Sequence, residues 1–202
     1  EFVNGNWFDG DSFKKRSFYT VDGRLSTKRP KRIDSKIDLK NGYVIPPFGE
    51  AHNHNVDGSN AEIIRKYLED GIFYVKVPNI LPRARASVEP MINKPESIDA
   101  SFANGGLTAS DGHPIGLARR NITRGVWTED DAEGAFYFTI NNKSDLDRKW
   151  DSILAGKPDF IKTYLLYSEE YEKRRDDARN QYWKGLDPAL LSDIVKIAHR
   201  NG

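Results

Sequence analysis

The chain has 202 residues, enough for one domain or one and a fraction with a buried core, and its 31 Lys and Arg nearly balance its 30 Asp and Glu. A net charge of +1 gives no electrostatic case for nucleic acid, and the lack of any long apolar run argues against a transmembrane helix. With no cysteine, disulfides and thiolate metal sites are excluded, so any metal must be held by histidine, carboxylate or modified lysine, and the compartment is left open.

Phe2–Phe8 is followed by Asp9-Gly10, and Ser17–Val21 by Asp22-Gly23, each an aromatic or β-branched run ending in a tight-turn dipeptide. Residues 1–43 are therefore expected to form a small β-rich segment of short antiparallel strands. Glu1-Phe2-Val3 already reads as strand, with neither initiator Met nor signal peptide ahead of it, so the natural N-terminus is expected to have been removed. The basic run Lys28–Arg32 has acidic residues on both sides and is read as a solvated loop.

The stretch Val44–Asn55 ends an apolar run in Ala51-His52-Asn53-His54. In extended backbone alternate side chains share a face, so His52 and His54 project together at a spacing that suits one divalent ion; a hydrogen-bonded surface pair is the structural alternative. Beyond it, Ile63, Ile64, Tyr67 and Leu68 recur at helical spacing up to Gly71, and Ile72–Val77 reads as a strand of the kind buried in parallel sheets. Pro82–Pro95 suggests a short helix or an irregular segment, and Ile98–Ala103 another strand. Asn104–Pro114 is a glycine-rich loop containing His113.

Gly116–Glu133 is polar and reads as an irregular lid anchored by Trp127, with Ala135–Ile140 a short extended piece. Ser144 is the expected N-cap of a helix carrying Leu146, Trp150, Ile153 and Leu154 to Gly156. Pro158–Tyr167 then reads as a strand. Lys162 within it either sits at the strand end, reaching water or an acid, or does chemistry, because an unpaired buried ammonium is costly. Phe160, Lys162 and Tyr164 share a face. The charged Ser168–Tyr182 is expected to be a solvated arm, and Asp187–Gly202 a helix with Asp187 as cap and Pro188 at its first position.

The Asp-Gly hairpins, Ile37–Phe48, and then Ala-His-Asn-His together resemble the entry to the catalytic barrel of the amidohydrolase superfamily, in the branch similar to imidazolonepropionase and metal-dependent dipeptidases. The usual Pro-Gly-Phe lead-in is here Pro46-Pro47-Phe48-Gly49-Glu50. Asp159-Phe160-Ile161-Lys162 likewise looks like that family's fourth barrel strand. The resemblance implies an α/β fold: residues 44–202 would be the first four β/α units, the first half of a (β/α)8 TIM-type barrel, with residues 1–43 part of a β-sandwich.

It also implies a site. His52, His54 and a carboxylated Lys162 would be ligands to one or two divalent ions, zinc or a similar metal, while His113 and Tyr164 would orient a small-molecule substrate. The implied activity is hydrolysis of an amide, cyclic amide or related C–N bond by metal-activated water. Because a closed barrel takes about 250 residues, the resemblance further implies that this chain is inactive alone. The C-terminal half would come from further chain, a cleaved polypeptide or a partner copy in a homo-oligomer. The alternative is a non-catalytic α/β domain that binds a ligand or partner around a degenerate metal site.

Overall fold

The structure, a computed structural model, describes all 202 residues and divides into two compact units, Glu1–Pro47 and Phe48–Gly202. The first unit is one five-stranded sheet. Strands β1 (Phe2–Phe8) and β2 (Phe13–Val21) are antiparallel, with Asp9 Oδ1 accepting from the Asp11 and Ser12 amides in the turn between them. Asp22 and Gly23, both at positive φ, close the next hairpin to β3 (Arg24–Ser26), the turn geometry that matches strand twist. Strands β4 (Ile37–Asp38) and β5 (Tyr43–Val44) pair with β1 in parallel, so the sheet is mixed where an antiparallel one was expected. Trp7 packs on Phe18 with ring centroids 4.3 Å apart, and the Lys28–Arg32 run is looped and largely exposed.

In the second unit, β6 (Phe48–Glu50), β7 (Ile72–Val77) and β8 (Asp99–Phe102) form a three-stranded parallel sheet in that order. The crossovers are α1 (Glu62–Glu69) and α2 (Pro82–Val88), the latter continued by a 3₁₀ turn at Glu89–Met91. Both helices pack against the core of this sheet: Ile64 and Tyr67 from α1 and Val88 from α2 meet Val75, Val77, Ile98 and Phe102. Only that face is covered. Val75 and Val77 are buried while Tyr74 and Lys76 on the opposite face are exposed, so β7 is sealed on one side rather than on both as its apolar run suggests.

The expected half barrel is not what forms. Strand β9 (Gly106–Thr108) begins after only residues 103–105, far too few for the crossover of a dozen or more residues that a parallel neighbour requires. It pairs instead with β10 (Tyr137–Thr139) in a separate two-stranded sheet. The Pro158–Tyr167 stretch is not a strand either. It touches β9 through a single bridge, Leu107 with Thr163, in which the Leu107 amide donates to the Lys162 carbonyl and its carbonyl accepts from the Tyr164 amide. The molecule is thus mixed α/β with several small sheets and no TIM-type half.

Other segments also depart from expectation. Gly116–Glu133 is largely helical: α3 (Ile115–Thr123) buries Ile115 and Ala118, and a 3₁₀ turn at Glu129–Asp131 carries a capping box from Thr128. Trp127 does anchor here, packing on Phe136 at 4.6 Å. Helix α4 (Lys143–Ala155) is capped by Asn142, whose side chain accepts from the Asp145 amide, so Ser144 lies inside it. Ser168–Tyr182 is exposed or half-exposed throughout, as expected of a solvated arm, but it is folded into short turns around α5 (Tyr171–Arg174), where Arg174 bonds Glu170 at 2.6 Å and lies over the Tyr167 ring. The last helix, α6 (Leu191–Arg200), follows a 3₁₀ turn at Pro188–Leu190 whose cap is Asp187.

Leu107 is fully buried among Phe138, Ile140, Leu146, Trp150 and Leu186 while its backbone holds the Lys162 segment. Leu107→Ala should cost about 2–5 kcal/mol by cavity formation, read as a lowered urea midpoint at unchanged m-value.

Candidate functional site

His52 and His54 lie in the loop just past β6 rather than within a strand. What aims them is the residue between them. Asn53 is fully buried: its Nδ2 donates to Glu50 Oε2 at 2.7 Å and Tyr67 Oη at 2.5 Å, and its Oδ1 accepts from the amides of Asn55 and Val56. The Asn53 amide in turn donates to the Lys76 carbonyl at 2.9 Å, docking the loop on the end of β7. With Asn53 turned inward, its two neighbours turn outward together. Their Nε2 atoms are 3.1 Å apart, with ring centroids 5.0 Å apart.

Beside them is a residue that the sequence reading overlooked. Asn79, two positions past β7, is 5% exposed, and its Nδ2 donates to the Phe136 carbonyl at 2.8 Å and to Tyr164 Oη at 2.6 Å. A backbone carbonyl only accepts, so the nitrogen must lie on that side, and Oδ1 is left buried without a partner. The signal available was its position: a polar residue directly after a buried strand end, where parallel α/β units gather their chemistry.

The remaining expected residues meet around Tyr164. The His113 ring stands edge-on to it, with centroids 5.1 Å apart, and Lys162 Nζ lies over it at 5.2 Å. Gly106 makes this possible: a Cβ there would collide with both the Tyr164 ring and the Lys162 stem. His113 and Lys162 thus meet at Tyr164, which Asn79 ties to the end of β7, while the His54 imidazole is near enough to the Asn79 carbonyl and to Lys162 for both to act on its protonation. His199 is apart from it, in the last turn of α6.

The electrostatics favour uncharged bases. Partial desolvation lowers the His54 pKa, helped by the neighbouring His52 and Lys162 charges against the opposing Asn79 carbonyl and Glu50. Desolvation and then Lys162 do the same for His113, and desolvation lowers Lys162 itself. Burial holds the Tyr164 hydroxyl neutral, its pKa pushed up to about 12 despite the Asn79 bond.

Whether this donor set suits a metal is a matter of geometry. Tetrahedral zinc–nitrogen bonds of about 2.0–2.1 Å place two nitrogens of one ion about 3.3–3.4 Å apart; the histidine pair, at 3.1 Å, is a few tenths of an ångström closer and equally at hydrogen-bond distance. No group of three or more His, Cys, Asp or Glu side chains is gathered in the chain. Among known proteins, the chain matches no family model, no curated protein and no solved structure.

Two outcomes follow. Asn53→Leu strands the Tyr67 hydroxyl, Glu50 and two amides, and should cost about 3 kcal/mol in denaturant unfolding. Lys162→Met removes a cation facing both imidazoles, so the His54 and His113 pKa values should rise toward 6.5 in an NMR titration; unchanged values would mean that Lys162 does not face them.

Proposed function

We propose that the cluster belongs to a metal-dependent hydrolase of the amidohydrolase type, acting on an amide, cyclic amide or related C–N bond. The observation that carries this reading is the His52–His54 pair at 3.1 Å beside a desolvated lysine and a neutral tyrosine. The two imidazoles would hold the ion, with Lys162 as the third ligand once carboxylated. A bound divalent ion brings the pKa of water close to neutral and polarises a carbonyl.

The chain's own groups are suited to their parts. Carboxylation requires the unprotonated amine: the Lys162 nitrogen attacks the carbon of carbon dioxide, one N–H proton passes to solvent, and a cation becomes an anionic oxygen donor. A lowered Lys162 pKa raises the fraction of reactive amine. Converting that cation to an anion also removes the positive charge that disfavours protonation of His54 and His113. Because Tyr164 Oη accepts from Asn79, its own hydrogen can point elsewhere and donate to a substrate carbonyl, with the His113 ring packed at its edge.

The lack of a third His, Cys, Asp or Glu favours one rival, a metal-free binding domain in which the two histidines merely bond each other. Equilibrium dialysis against zinc in bicarbonate buffer separates them. The hydrolase reading expects stoichiometric zinc, weakened more than about 100-fold in His52→Ala, beyond the loss usual for an outer-shell partner, and reduced in Lys162→Met. Zinc uptake that neither variant alters would sink it.

A further inference from the structure

Between α3, the 3₁₀ turn at Glu129–Asp131 and β10 lies a cavity of about 430 Å³, a volume usual for small-molecule sites. None of its lining residues belongs to the histidine pair or to the groups around Tyr164. Tyr137 lines it, is only 9% exposed, and makes no hydrogen bond through its hydroxyl within the chain. That hydroxyl is nevertheless not sealed in, because the buried side-chain polar atoms that lack a partner all lie on Trp7, Asn79, Thr108 and Trp150. The small exposed remainder of Tyr137 thus includes its oxygen, and the opening it lines is this cavity.

Two charges share the wall, Arg119 and Glu129. The neighbouring acids are committed, Asp131 to Arg83 and Glu133 to Lys149, whereas Arg119 and Glu129 pair with no opposite charge, each other included. Both reach the phenol: burial raises the Tyr137 pKa, Glu133 adds to that, and Arg119 and Glu129 then act on it in opposite directions. A bare anion here would meet Glu129 and a bare cation Arg119, so the complementary ligand carries both charges a few bonds apart. Ala118, Ile122 and Ala132 supply the apolar part of the wall.

We propose that this cavity binds a free α-amino acid with an apolar side chain, Arg119 and the Tyr137 hydroxyl taking the carboxylate, Glu129 the ammonium, and Ala118, Ile122 and Ala132 the side chain. Such a ligand has no amide bond to cleave, so this is a binding site and not a second catalytic one. It stands independently of the hydrolase reading and requires no metal.

The test uses the full chain after dialysis against EDTA. The probes are L-leucine, 3-methylbutylamine and 4-methylpentanoate; the last two keep the leucine side chain and one charge each. Binding is followed by the Ile122 methyl shift in NMR, assigned with Ile122→Val. L-Leucine should bind about tenfold more tightly than either single-charge probe, roughly what one hydrogen bond to a charged group supplies. Arg119→Gln should abolish the preference over the amine, and Glu129→Gln the preference over the carboxylate. Both side chains are exposed, so neither change disturbs the core. No leucine binding, equal affinity for the three probes, or either preference surviving its own substitution would overturn the proposal, whatever the zinc result.

Discussion

The candidate site depends on one buried side chain, Asn53. It bonds Glu50 and Tyr67 through its nitrogen and two backbone amides through its oxygen, so nearly all of its polar capacity is used within the fold. That satisfaction is what makes the inward orientation stable, because the same amide buried without partners would be strongly unfavourable. Once Asn53 is fixed, His52 and His54 have no choice but to face outward side by side. The histidine pair is thus positioned by the buried residue between them.

Asn79 has the complementary part. It ties the end of β7 to the Phe136 carbonyl and to Tyr164, two segments with little ladder pairing of their own. Its nitrogen serves structure, and its oxygen is left buried without a partner. Desolvation, with a smaller contribution from the Lys162 charge in the same direction, lowers the pKa of both His54 and His113 and so favours the neutral imidazole. Any chemistry that removed that charge would relax the whole cluster.

Local patterns were readable from the chain wherever a single element carries its own signal. The helical spacing of Ile64 and Tyr67, the apolar Ile72–Val77 and the face of Leu146, Trp150 and Ile153 all appear as α1, β7 and α4. Where partners come from afar, the reading failed. Ile161–Leu166 is apolar enough for a strand, yet its backbone finds only the single bridge to Leu107 and one bond from the Leu186 amide to the Tyr164 carbonyl. Gly106 reads as loop, yet it is in β9, because only a residue without a Cβ lets Lys162 and Tyr164 cross above it. The polar 115–123 stretch hid a helix whose burial is limited to Ile115 and Ala118.

By itself the sequence determined which chemical groups the molecule has to work with: two histidines one residue apart, a lysine in an apolar run, and no thiol. Alternation and turn chemistry are properties of neighbouring residues, so they survive without knowledge of the fold. Tertiary structure alone decided that residues 52, 54, 79, 113, 162 and 164 converge, that Asn53 is a buried anchor, and that the strands split among separate sheets. Those outcomes rest on contacts between residues up to 85 positions apart, such as Asn79 with Tyr164, and no local pattern encodes them.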